Sequence, residues 1–364
     1  MFDHPTISIV IPVHNGGPSF RRCLESVRHL HPPPLETIVV VDGDTNGSID
    51  VAKEFNTRVV CLPYREGPAR ARNEGASCAK GTILLFIDAD VAVPAELLPR
   101  VAESFDSASH PIAVMGSYDC EPAAPGMISQ YKNLIHHYVH QQSAEEAATF
   151  WGACGAIQRD VFLAMGGFDE RYRRPCVEDI DLGYRLRAAH YSLRLDKTLQ
   201  VKHLKRWTFL SVLKSDILDR ALPWTELIMR YRIFRNDLNL RYSDRLSVVA
   251  IYALLLTVPL VPESPLLLAI PGSLGFLLLM LNRRLYQFFV AHRGIAFALA
   301  AIPLHWLSLI YSGMAFAVGA VCYGLIPRLL AIFSDRTISE DQVALNRQSG
   351  SVIPRLGSPR GGGV

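Results

Sequence analysis

Two aspartates one residue apart, Asp88 and Asp90, close the apolar run "LLFI" at residues 84–87. Such a run reads as a buried strand, and two like charges at its end repel each other and lose solvation. A hard cation such as Mg2+ or Mn2+ would remove that conflict, because it takes oxygen ligands and keeps open positions for phosphate oxygens. The alternative is that Asp88 caps the next segment and Asp90 is simply solvated. A second acidic group, Glu178-Asp179-Ile180-Asp181, opens a segment in which Leu182 and Leu186 lie four apart. Carboxylates at a helix start serve as dipole partners, or one of them can be a general base facing a metal site. Downstream, His203-Leu204-Lys205-Arg206-Trp207 brings together an imidazole, two cations and an indole, the His being open to a structural role as well as a ligating one.

These groups need elements to position them. "TISIVIPV" (6–13), "ETIVVV" (36–41), 58–62 and 82–87 read as short buried strands. Helical spacing lies between them at 19–30, at 48–55 with Ser48 as N-cap, and at 69–79. Regular alternation of this kind predicts a parallel arrangement of these strands with helices on both faces. In open sheets ligands sit beyond the carboxyl ends of the strands. Pro12 to Asn15, Asp42 with Asp44, and Asp88 with Asp90 are therefore expected on one rim.

Hydrophobic residues make up 49% of the 364 and are unevenly spread. Between Arg245 and Arg283 the only charged residue is Glu263, and between Arg293 and Arg328 there is none. This predicts a soluble domain followed by a membrane domain. Residues 246–262 and 266–282 form two apolar spans near the lower limit for crossing, and 294–327 reads as one long tilted crossing, with a re-entrant pair as the alternative. Arg241 and Arg245 before the first span and Arg283-Arg284 after the second put both outer ends in the cytoplasm. Residues 205–245 interleave nine cations with Phe209, Leu213, Leu218, Trp224, Tyr231 and Phe234, as amphipathic helices on an anionic membrane face do. The expected domains are 1–205 catalytic and cytoplasmic, 206–245 interfacial, 246–330 with about three transmembrane helices, and 331–364 a disordered tail. The N-terminus has no signal-peptide pattern, and seven scattered cysteines suggest reduced thiols. A net charge of +3 gives no argument for nucleic acid.

Taken in order, "SIVIPVHN", "VVVDGDTNGS", "GPARARNEGA", "GTILLFIDAD", "GGFDE", "EDIDL" and "HLKRW" resemble the family-2 glycosyltransferases over residues 6–210. The resemblance implies an α/β fold of GT-A (Rossmann-like) type, a mixed sheet flanked by helices, here followed by interfacial helices and an all-α transmembrane region. It implies inverting, metal-dependent transfer from a nucleotide-sugar donor, a UDP-sugar first among them, and the expected membrane anchor adds a lipid-linked or exported glycan acceptor. Carried over position by position, Pro12, Asn15, Asp42, Arg72 and Asp88 would bind the nucleotide-sugar. Asp88, Asp90 and His203 would hold Mg2+ or Mn2+. Asp179 would be the catalytic base, with Trp151, Gly152, Glu178, Arg206 and Trp207 on the acceptor side. Two positions depart from the family pattern. Gly43 separates Asp42 from Asp44, where the family has adjacent acids. His203 stands in place of the Gln of processive synthases, which favours transfer of one or a few sugars.

The chain has neither a P-loop nor a dinucleotide fingerprint after its first strand. "HNGGPSFRR" is a poor match to the basic Gly-rich loop of nucleotidyltransferases. A polyprenyl-phosphate glycosyltransferase remains an alternative, although its acceptor would leave a base with little to do. A non-catalytic subunit of a polysaccharide assembly complex is the other, although such a chain would be expected to lose one of Asp88, Asp90 or Asp179.

Overall fold

A computed structural model describes residues 5–106, 110–233, 238, 241–263 and 265–326. Alternation of strand and helix begins at once: β1 (Ile7–Val13), α1 (Gly17–Arg28), β2 (Glu36–Asp42), α2 (Ser48–Glu54), β3 (Arg58–Leu62), α3 (Pro68–Cys78) and β4 (Ile83–Ile87). The short β5 (Val91–Ala92), α4 (Leu97–Phe105), β6 (Ala113–Tyr118), α5 (Met127–Gln142), β7 (Cys154–Gln158), α6 (Arg159–Ala164), α7 (Glu178–Ala188) and β8 (Leu193–His203) complete the domain. The sheet order is β3-β2-β1-β4-β7-β6-β8-β5. β3, β2, β1 and β4 run parallel, as expected from their crossovers. β7 is antiparallel to both β4 and β6, so the whole sheet is mixed.

The core explains the continuous apolar runs. Ile9, Val10, Ile11, Val39, Val40 and Leu84 to Ile87 are fully buried, because helices cover both sheet faces. Phe86 meets Phe150, Phe162 and Phe168 edge-on or tilted, which fixes β4 against the chain around α6. Since β2, β1 and β4 are neighbours and parallel, their carboxyl ends share one edge, and Asn15, Asp42 and Asp88 lie along it.

Two local details differ from expectation. Ser48 is the first residue of α2 and not its cap. The Asp44 carboxylate, four residues earlier, accepts from the N–H groups of Asn46, Ser48 and Ile49. Burial pushes the Asp44 carboxyl up, but those N–H donors outweigh it and hold it below the ordinary range. Gly67, at the start of α3, has φ +103, and a Cβ there would stand 2.6 Å from the Arg173 backbone. Gly67→Ala is therefore expected to cost about 1–3 kcal/mol from backbone strain alone, with the clash in addition, and a denaturant titration would read it.

After β8 the chain becomes helical. α8 (Phe209–Lys214) runs into a π-helical segment, Ser215–Ala221, and α9 (Leu222–Tyr231). Then come α10 (Tyr242–Thr257), α11 (Ala269–Leu281) and α12 (Arg283–Gly319). Two helices are long and apolar enough to cross a membrane, Tyr242–Leu260 and Arg283–Gly324, with 17% and 28% of their most apolar stretch buried. The predicted second span, 266–282, differs: α11 has 13 residues, about 20 Å at 1.5 Å per residue, short of a bilayer core. α12 also begins earlier than the predicted third crossing and kinks at Gly294, where φ is +81. The predicted tail at 331–364 lies outside the described residues.

Candidate active site

One cavity, of about 130 Å³, opens beyond the end of β4. Its lining includes Arg72, Asp88, Asp90, Trp151, Glu178, Asp179, His203 and Trp207, eight of the residues expected from sequence. Arg72 organises one wall. Projecting from α3, it is buried and donates to Glu178 at 2.8 Å and to Asp88 at 2.7 Å. Its guanidinium also lies over the Phe168 ring at 5.5 Å. Burial works against its charge, yet Asp88 and Glu178 more than offset this and hold the cation above its usual affinity for a proton.

The acidic start of α7 divides into three tasks. Glu178 accepts from Arg72 with one oxygen and from the Cys176 N–H with the other, at 2.8 Å each. Asp181 accepts from Arg185 and from the Tyr231 hydroxyl, tying α7 to α9. Asp179, between them, lines the cavity and accepts from the Gly152 N–H at 3.1 Å. Burial, then the neighbouring Glu178, pushes its carboxyl up to about 6.

His203, at the end of β8, stacks on Tyr118, with centroids 4.1 Å apart. Its Nε2 is 3.9 Å from Asp90 Oδ2. Burial, reinforced by Lys205 and Arg220, holds the imidazole neutral, down to about 3. Asp90 is pushed up to about 6 by burial and then by Asp88. A neutral imidazole beside a carboxylate is a donor pair that fits a divalent cation. Among the described residues no group of three His, Cys, Asp or Glu is arranged to hold a metal. The donor set is therefore the pair Asp90 and His203, with Asp88 adjacent and already held by Arg72.

Five expected residues lie elsewhere or act indirectly. Pro12, Asn15 and Asp42 sit at the ends of β1 and β2 and do not line the cavity. Asn15, at φ +52, accepts from the Thr45 N–H and hydroxyl. Asp42 accepts from the N–H groups of Glu66 and Gly67, at 2.6 and 2.9 Å. These side chains shape the loops at the rim. Arg206 is exposed and off the cavity. Gly152 contributes its N–H.

Several lining residues escaped the sequence reading: Tyr118, Lys132, His136, Ser215, Asp219 and Arg220. Lys132, His136 and His140 recur every four residues along α5, a spacing that puts them on one helix face and could have marked a helix facing a site.

Residues 8–166 match the profile of glycosyl transferase family 2. Over that stretch the chain is similar to glycosyl transferase family 2. The profile ends before the segment holding Glu178, Asp179 and His203. Among curated relatives, the chain is 38% identical over 88 residues to the uncharacterized glycosyltransferase YibD of Escherichia coli K12, covering 23% of this chain and 26% of YibD. It is 26% identical over 211 residues to the probable glycosyltransferase YdaM of Bacillus subtilis 168, covering 53% of this chain and 49% of YdaM. The chain thus spans half or less of these relatives. Among solved structures, the mannosyltransferase PcManGT of Pyrobaculum calidifontis, in complex with GDP-Man and Mn2+, superposes with a TM-score of 0.50. Identity to it is 15%, over 88% of each chain. That likeness is one of fold, and the fold is GT-A-like.

Proposed function

We propose that this protein moves a sugar from a nucleotide-sugar, a UDP-sugar first among candidates, to a membrane-associated acceptor, inverting the anomeric carbon and adding one or a few units. The observation that carries this reading is Asp179, a carboxylate of raised proton affinity held in the cavity by the Gly152 N–H, with the Arg72–Asp88–Glu178 clamp beside it. In the proposed step Asp179 takes the proton of the attacking hydroxyl as oxygen bonds to the anomeric carbon. The bond from that carbon to the diphosphate oxygen breaks, and its electron pair leaves with the nucleoside diphosphate. Asp90 and His203, with Asp88 adjacent, would hold Mg2+ or Mn2+. When bound, such an ion neutralises charge on the departing diphosphate. Pro12, Asn15 and Asp42 would border the nucleotide, and Trp151, Glu178 and Trp207 the acceptor.

The membrane placement rests on the two long apolar helices and on large exposed apolar side chains such as Leu256, Val249, Phe276, Ile295 and Leu299. With Arg241, Arg245, Arg283 and Arg284 flanking the apolar stretches, the catalytic domain would face the cytoplasm of a cell whose inner membrane anchors it.

The experiment is a screen of nucleotide-sugars for nucleoside diphosphate release by detergent-solubilised protein, with Mn2+, Mg2+ or a chelator. Release from one donor, abolished by chelation and restored by either cation, is expected. No release from any donor, together with no binding of nucleoside diphosphates, would defeat the proposal.

A further inference from the structure

The cavity lining also holds a basic group of which only Trp207 has a part in the transfer reading above. It consists of Lys132 and His136 of α5, Lys205 and Trp207 after β8, and Arg220 of the π-helical segment. Its cations are unevenly neutralised. Lys132 pairs with Asp216, and Asp219 with Arg174. Lys205 and Arg220 make no ion pair among the described residues; Lys205 instead lies over the Trp207 ring at 4.2 Å. Two ring nitrogens there, Trp207 Nε1 and His136 Nδ1, are buried with no hydrogen-bond partner among the described residues. Buried polar nitrogens without partners are rare and call for a missing one. Arg220 lines the same cavity as His136, His203 and Asp179. Free cations beside an unsatisfied indole donor make a site for a compact anion with several acceptor oxygens.

The position of Arg220 points to the source of that anion. Four residues earlier, Asp216 accepts from the Tyr311 hydroxyl of α12 at 2.7 Å, so the π-helical segment is docked on a helix long and apolar enough to cross a membrane. π-helical turns are rare and frequently lie at functional sites. The ends of β1 and β2, where the nucleotide would lie, do not line the cavity. We propose that Lys205, Arg220 and Trp207 form a phosphate subsite for a lipid-borne acceptor, which enters from the side of α12 and presents its attacking group to Asp179. This assignment of the acceptor rests on the glycosyl-transfer reading; the phosphate subsite itself does not.

The test is calorimetric binding to the full chain in phosphatidylcholine nanodiscs, without donor sugar. The probes are a short-chain prenyl phosphate, inorganic phosphate, and UDP with Mn2+. Arg220→Gln and Lys205→Gln are each expected to weaken prenyl phosphate about ten- to hundredfold, the worth of one charge-assisted hydrogen bond, and to leave UDP within about twofold. Arg220→Lys should recover part of the loss, and inorganic phosphate should compete with prenyl phosphate. If the variants weaken UDP instead, the phosphate belongs to the donor and the acceptor assignment falls. If wild type does not bind prenyl phosphate, or neither variant changes its binding, the subsite falls. Failure of the transfer reading would show separately, as absence of nucleoside diphosphate release from every donor.

Discussion

Asp179→Asn is expected to lower glycosyl transfer about 10²–10⁴-fold, the range for loss of a positioned general base, while the melting temperature stays level or rises. The two halves of that expectation have different causes. Asparagine keeps one oxygen to accept the Gly152 N–H, so the link between α7 and the 151–153 segment survives, and it gives up only the local bond from the Ile180 N–H. What disappears is the negative charge, which is costly where it stands: burial and Glu178 raise the carboxyl to about 6. For a carboxyl whose folded pKa is raised, the sign is the reverse of the usual acidic case. The ionised form subtracts from stability above the folded pKa, and that cost fades as pH falls through it. At neutral pH the variant therefore loses a cost along with the function. A variant that melts well below wild type would mean that the charge is structural, and its lost activity would then say nothing about a base.

The same raised pKa sets the acid limb of the rate profile. A base must be deprotonated to act, so kcat/KM should fall as pH drops through about 6 and not at the ordinary carboxylate range near 4. In Asp179→Asn the residual rate should lose that limb. A limb that persists unchanged in the variant would assign the titration to another group, Asp90 first, whose carboxyl burial also raises to about 6.

Much of this was legible because the relevant signals are local. A short run such as Leu84 to Ile87, followed by acidic residues, reads as a strand buried on both faces, and parallel neighbours put their ends on one rim. Asp88, Asp90 and Arg72 could thus be gathered from pattern and family resemblance. What the pattern could not reveal is which oxygen is already spoken for. Asp42 reads like Asp88 in sequence, yet its two oxygens hold the turn at Glu66 and Gly67 while Asp88 faces the cavity. Glu178, Asp179 and Asp181 are alike in composition, and only their helical phase and their partners, Arg72, Gly152 and Tyr231, separate clamp from candidate base from tie. Lys132, His136 and Arg220 were missed for a related reason. They reach the cavity from α5 and a π-helical segment, and their convergence depends on a docking against α12 that no short motif encodes.

Arg72→Met is expected to be among the most destabilising single changes, by about 3–5 kcal/mol, because it strands two carboxylates that a buried guanidinium now serves. In a domain of this size that corresponds to a melting temperature lower by roughly 6–20 °C. The geometry leaves little to take over. Glu178 is buried and keeps only the Cys176 N–H, and the Asp88 oxygen facing Arg72 loses its donor. Gly152 packs against the guanidinium so closely that a Cβ would stand 3.2 Å from its carbon, so methionine's flexible chain must also refill a flat slot. Lysine should rescue incompletely, since one ammonium cannot reproduce the fork that reaches Asp88 and Glu178 together. Two further measurements separate loss of charge pairing from loss of packing. The penalty should shrink in acid, where a stranded carboxylate can take up a proton, and should be largest above neutral pH. Adding Glu178→Gln to Arg72→Met should recover part of the stability, because it removes one of the unanswered charges. If the double variant is as unstable as the sum of the singles and the penalty ignores pH, the clamp is held by packing on Phe168 and not by its carboxylates.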